Sequence, residues 1–376
     1  MASAASPFHR AIDARTSRKD RSMNLGLPLI ILGLTLAEPP PTWTPVKSGT
    51  TARLRGLHAV DAKVVWASGT QGSFTTTRDG GATWTAGTVP GAEALDFRDV
   101  HAFNARSATL LASGVGAQSQ VFQTDDGGKN WVRRFTCAYP SGFFDAIAFW
   151  DEARGLILGD PVGGKFQIFR TEDGGKTWHR GPLEGMPAAL PNEGAFAASG
   201  TCLVVQGRQI AWFATGGAKA SRVFRTTDGG EHWQASETPV AAANASSGIF
   251  SLAFRDELNG IAAGGDYKRP DARQVVCATT SDGGKTWIAA DRGPSGYRSG
   301  ATYVPGLLTH TWIAVGPTGA SLSTDDGKSW TTLGNEGFHA VGATGFLDST
   351  WAVGDDGNVF RLRVRPGSFP EKNDGG

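Results

Sequence analysis

The stretch from Thr171 to Trp178, TEDGGKTW, sets a carboxylate, two hydroxyls, two adjacent glycines and an indole within one short loop. Such a set could hold a cation or move a proton. The same pattern recurs as TRDGGATW (77–84), TDDGGKNW (124–131), TTDGGEHW (226–233), TSDGGKTW (280–287) and STDDGKSW (323–330). Six copies along one chain cannot converge on one catalytic centre. Asp79, Asp126, Asp173, Asp228, Asp282 and Asp325, with Trp84, Trp131, Trp178, Trp233, Trp287 and Trp330, are therefore expected to build turns. A short carboxylate accepts hydrogen bonds from the amides and hydroxyls of its own loop. The glycine that follows supplies φ > 0 without steric cost, and the indole fills space between neighbouring units.

Stepping outward from the boxes, the tryptophans recur at spacings of 43 to 55 residues, a period typical of propeller blades. Short strand-like texts lie between them: LRGLHAV, VVWASG and SFTTT before the first box and TWTAGT across its end. That is four strands per unit. A last unit, FHAVGAT, TWAVGDDG and NVFRLRV, stops without a box, while PTWTPVKSG (41–49) resembles outer-strand texts such as ATWTAGTVP (82–90). The expected fold is all-β: a seven-bladed propeller over residues 38–366, four antiparallel strands per blade, with the N-terminal strand completing the last blade. Closure of this kind hides two sheet edges.

The repeat S/T-x-D-x-G-x-T/S-W resembles the Asp-box, or bacterial neuraminidase repeat, of sialidase-like propellers. With VFR or IFR leading into TxDGGxTW, residues 41–365 resemble the photosystem II stability and assembly factor family of seven-bladed propellers. The resemblance implies a non-catalytic scaffold that holds a polypeptide on an arginine patch. A photosystem subunit is the implied client only in a photosynthetic source.

The flanks differ in character. Arg10, Arg15, Arg18, Lys19 and Arg21 precede an apolar run from Leu25 to Ala37, which reads as a secretory signal peptide over 1–37 and leads to a periplasmic or secreted product. The run is too short for a membrane span. Met23 is an alternative start that would discard the basic head. Residues 367–376 read as a disordered tail. The formal net charge of +1 argues against nucleic acid, which needs clustered positive charge. Cys137, Cys202 and Cys277 allow at most one disulfide, in any pairing, and Cys277 in QVVCATT reads as a small buried hydrophobe. Neither metal nor cofactor is expected, and a monomer is.

Strand direction places all boxes on one face, and the long connections 180–193, 235–248 and 266–274 on the other, where function usually resides. Aligning the residues that lead into the innermost strands gives Arg55, Arg98, Asp145, Gly194 beside Glu193, Phe250, Arg298 and His339. Ring closure then sets Arg298, His339, Arg55 and Arg98 in one basic arc, with Asp145 and Glu193 facing it. Converging guanidiniums suit a carboxylate or another planar anion; alternatively they pair with Asp99, Asp145 and carbonyls to finish strand ends. By the family resemblance, Arg55, Arg98 and Arg298 correspond to the arginine patch. His58 and His101 are expected to pack between blades.

Two other functions compete. A sialidase-type glycoside hydrolase needs an arginine triad, a tyrosine nucleophile paired with a glutamate, and an acid; Arg55, Arg98 and Arg298 with Glu193, Asp145 and Tyr297 or Tyr267 imitate that set. The Arg-Ile-Pro signature of that family is missing, and its six blades differ from the seven counted here. A carbohydrate-binding propeller would use Tyr267, Tyr297 and Phe250. GDPVGGKF (159–166) matches a phosphate-loop spacing but carries Phe166 where a hydroxyl is required. The pairs Asp125/Asp126 and Asp325/Asp326 lack the ligand ladder of a calcium loop.

Overall fold

The computed structural model describes residues 41–364; the segments read as signal peptide and tail lie outside the described residues. Seven four-stranded antiparallel sheets follow one another along the chain. The first complete blade shows the scheme. Leu54–Ala59 lies innermost, followed outward by Val65–Gly69, Ser73–Thr77 and Thr85–Thr88. The second and third strands are buried throughout, whereas the outermost strand is exposed or half-buried. Period-two side-chain alternation lets both faces of a middle strand bury against neighbouring blades.

The last blade is built from both chain ends. Thr42–Val46 pairs with Val359–Arg363 from Thr42 opposite Arg363 to Val46 opposite Val359. Trp43 is buried at this seam and packs on Phe338, with ring centroids 5.0 Å apart.

Each box turns the chain from third to fourth strand on one face. In the third blade, Asp173 Oδ1 accepts the Thr171 hydroxyl (2.9 Å) and the Thr177 amide (2.9 Å), while Oδ2 accepts the Thr177 hydroxyl (2.6 Å). Gly174 and Gly175 both take positive φ. The box then ties back to the turn between the first two strands through Gly174 N–H to Ala153 O (2.8 Å). Equivalent bonds join Gly80 to Lys63, Gly127 to Arg106, Gly229 to Gln209, Gly283 to Leu258 and Asp326 to His310. All six boxes therefore lie on the face of the first-to-second-strand turns.

The box tryptophans pack between blades with unequal burial. Trp178, Trp233, Trp287 and Trp330 are buried, each indole N–H reaching a glycine carbonyl of its own box. Trp84 and Trp131 are half-buried and lean on Trp351 and Trp66 of the preceding blades instead. The three cysteines are buried and unpaired. No helix among the described residues is long and apolar enough to cross a membrane.

Candidate binding site at the channel mouth

The face opposite the boxes opens into a cavity of about 530 Å³, lined by residues from all seven blades. Its wall is set by one recurring irregularity. In four blades the innermost strand slips register against the second strand, with the shift between Leu54 and Gly56, Phe97 and Asp99, Phe144 and Ala146, and Ile249 and Ser251. The extra residues are Arg55, Arg98, Asp145 and Phe250, and all four line the cavity. A bulge releases one residue from the ladder and re-aims its side chain. Here it points four side chains into the channel. The second strand must accommodate the kink: a Cβ on Gly69 would lie 2.1 Å from the Arg53 carbonyl oxygen.

The sixth blade departs from the expected arc. Leu54, Phe338 and Arg298 each donate their backbone N–H to a glycine carbonyl of the preceding blade, at Gly354, Gly316 and Gly264. Arg298 therefore occupies the buried apolar column of Leu54 and Phe338, and Ser299 takes the channel position. A one-residue slip moves a side chain to the other face of a strand. The Arg298 guanidinium turns into its own blade, donating to Tyr297 O (3.0 Å), Ser321 Oγ (3.0 Å) and Thr318 Oγ1 (3.4 Å). Burial lowers its pKa to about 10. It is not part of the mouth.

Glu193 is likewise withdrawn. Its carboxylate is fully buried, pairs with the Arg222 guanidinium, and accepts the Thr215 hydroxyl (2.6 Å) and the Leu190 amide (2.7 Å). No tyrosine hydroxyl is among its partners, so the glutamate–tyrosine pair of a sialidase-type reaction is not formed there. Asp145 also departs from expectation: its blade adjoins that of Arg98, so it flanks the basic side rather than facing it.

The remaining basic groups differ in how far they are satisfied. Arg98 donates to Asp96 Oδ2 (2.8 Å) and Ala197 O (3.3 Å). His339 Nε2 lies 3.0 Å from Asp355 Oδ1, which also pairs with Arg53 at 2.6 Å. Burial lowers the His339 pKa, its contact with Asp355 opposing. Arg55 has no salt bridge or hydrogen-bonded side-chain partner among the described residues, and its Nε is buried without an acceptor. Burial first and the neighbouring Arg98 second lower its pKa.

The acidic side is as unusual. Asp145 is fully buried, and neither carboxylate oxygen is hydrogen-bonded among the described residues. Burial, reinforced by Asp160, raises its pKa well above the ordinary value. Asp160, which composition and spacing did not single out, accepts the Ala195 amide at 2.9 Å and is raised to about 6 by burial. Asp99, proposed as an arginine partner, instead accepts the amides of Ile147 (2.7 Å) and Val100 (2.8 Å). His58 and His101 pack edge to face with centroids 4.4 Å apart, and burial lowers His58 to about 4.

The floor was not legible beforehand. Residues 195–202 of the fourth blade leave the expected path and cross the channel before the innermost strand begins at Leu203. Ala197 O receives Arg98 of the second blade, Ser199 Oγ donates to Ser299 O of the sixth (2.8 Å), and Thr201 Oγ1 meets Ser251 Oγ of the fifth (2.7 Å). Phe196 stacks on Phe250 at 3.9 Å, and Tyr297 meets Phe250 edge-on at 4.7 Å. With the exposed Tyr267 these rings form an aromatic wall beside the carboxylates. Among the described residues no cluster of three or more His, Cys, Asp or Glu is placed to hold a metal ion.

Fold and site together define a seven-bladed propeller of the neuraminidase-repeat type with a plugged, charged channel mouth. A family model described as photosynthesis system II assembly factor YCF48 matches residues 99–242, and the propeller resembles that family. Two solved structures agree in fold. One is described as YCF48 bound to D1 peptide (17% identity, TM-score 0.58, 86% of this chain and 97% of that chain covered). The other is YCF48 from Cyanidioschyzon merolae (19%, 0.57, 85% and 98%). The WD40 propeller domain of Doa1 aligns comparably (11%, 0.57, 88% and 99%), so this likeness speaks for architecture. No curated protein matches the chain in sequence.

Proposed function

We propose that this chain is a non-catalytic, YCF48-like scaffold that holds a segment of another polypeptide at the channel mouth, an anionic group of the segment meeting Arg55. The observation that carries the proposal is Arg55 itself: a half-buried arginine on a cavity wall, its Nε buried without an acceptor and its guanidinium without a partner among the described residues. Buried charges are ordinarily paired, and an incoming carboxylate supplies the missing pair in forked geometry. Arg98 adds positive potential on one side. The solved YCF48 that carries a D1 peptide supports a polypeptide as the class of partner. The basic head and apolar run of residues 1–37 support a periplasmic or secreted site of action, where N-terminal sequencing of the mature protein is expected to begin just after Ala37.

The test is calorimetric titration with the peptide Ac-norleucine-Ala-Glu-amide. Removing one member of a buried charge pair costs about 2–5 kcal/mol, so Arg55→Ala is expected to abolish measurable binding while the thermal midpoint stays put. Undiminished affinity in that variant rejects the site.

A further inference from the structure

Asp145 presents a problem that the anion-binding reading leaves untouched. It is held on a bulge, at the wall of the same cavity, with both carboxylate oxygens buried and unpartnered. Buried polar groups without partners are rare enough to call for a cause. The neighbouring arginine does not supply one: the hydrogen bonds of Arg98 go to Asp96 and Ala197, and none reaches Asp145. Asp160 deepens the negative side, and Phe196, Phe250, Tyr267 and Tyr297 continue the wall beyond it. Carboxylates beside aromatic faces are the surroundings that a desolvated ammonium or guanidinium prefers. Among the described residues the cavity thus carries an unpaired cation at Arg55 and an unpaired carboxyl group at Asp145, which an incoming cation would hold in its ionised form.

We infer that Asp145, supported by Asp160 and the adjoining aromatic wall, is a second subsite that takes a lysine or arginine side chain of the same polypeptide segment. This rests on the anion-binding reading for the other end of the segment. A partner with one positive and one negative side chain in the right order is held at two points, which fixes its direction across the mouth. A segment carrying only the negative group is held at one. The bulges hold Arg55 and Asp145 on rigid innermost strands, so the span between the subsites is set before the partner arrives.

Three probe sets separate the two ends, each made with one, two or three alanine spacers: Ac-Lys-(Ala)-Glu-amide, Ac-norleucine-(Ala)-Glu-amide and Ac-Lys-(Ala)-Gln-amide. Hydrogen bonds to charged groups are strong enough for at least about a tenfold preference. With the wild-type chain, at least one lysine–glutamate peptide is expected to bind about tenfold or more tighter than its norleucine counterpart. In Asp145→Asn that preference is expected to vanish while norleucine–glutamate affinity persists, which also reports that the variant is folded. In Arg55→Ala the norleucine–glutamate peptides are expected to fail. Equal binding of lysine and norleucine peptides by the wild type, or a lysine preference that survives Asp145→Asn, overturns the cation subsite and leaves the anion site standing. Lysine–glutamine peptides that bind through Asp145 and ignore Arg55, with glutamate adding nothing, overturn the anion site and leave the cation subsite. No binding by any of the peptides overturns both.

Discussion

The two faces of the propeller spend their charges in opposite ways. On the box face, each carboxylate is satisfied within its own loop, and Asp79, Asp126, Asp173, Asp228 and Asp282 all fall to about 2 because hydroxyls and amides hold the ionised form. Neighbouring blades are stitched together there: Arg361 reaches Gly80 O, Arg78 reaches Gly127 O, Gln123 reaches Gly174 O, Trp212 reaches Gly283 O and Arg255 pairs with Asp326. At the channel mouth, Asp145 and Asp160 are pushed upward by burial, and Arg55 and Asp145 lack partners among the described residues. Repetition with full satisfaction marks a structural device. Singular residues held on bulges without partners mark a place for a ligand.

The largest effect that would break this contrast lies on the box face. Trp178→Ala is expected to destabilise the fold by about 3–5 kcal/mol, read by denaturant titration, with peptide affinity unchanged wherever the protein remains folded. A large loss of affinity without loss of stability would place function on the wrong side.

Next in size is Arg298. Converting it to Met removes a buried, unpaired charge from an apolar column. Peptide affinity should equal wild type, and the thermal midpoint should hold or rise. Loss of peptide affinity in that variant would return Arg298 to the site.

The smallest effect is in the pH dependence of stability. The box carboxylates have folded values near 2 against an ordinary 3.8, so their contribution is complete above about pH 4 and is lost as pH falls towards 2. Asp160 has the opposite sign: raised to about 6, it costs stability as pH rises from about 4 through 6. His58, lowered to about 4 from 6.5, gains stability over much the same window and partly cancels it. Asp99, raised to about 7, acts in the same direction as Asp160, so Asp160→Asn is expected to turn the slope between pH 4 and 6 towards rising stability, and Asp173→Asn to flatten the limb below pH 4. Interchange of those two results would contradict the assignment of the two carboxylate classes.

The architecture was readable because it is written six times: the boxes fix the blade period, and Trp43's segment carries the same text as the outer strands it imitates. The positions of Arg55, Arg98, Asp145 and Phe250 were readable from the same alignment. Arg298 was misplaced by one residue because the apolar column that anchors the register, Leu54, Phe97, Phe144, Ile249 and Phe338, is broken by an arginine in the sixth blade. Reading that column first would have moved the channel position to Ser299. Glu193 stands beside the mouth in sequence but is consumed by Arg222. The crossing segment 195–202 belongs to no repeat, so no periodic signal announced it, and Asp160 gained its role only when the crossing closed over it.

The most direct test places the photo-crosslinker p-benzoylphenylalanine at Tyr267 on the mouth and, in a second protein, at Lys129 in a box, each irradiated with the lysine–glutamate peptide. Adducts are expected from position 267 alone, and they should disappear when Arg55→Ala is added. Adducts from position 129 that withstand Arg55→Ala would contradict the assignment of binding to the channel mouth.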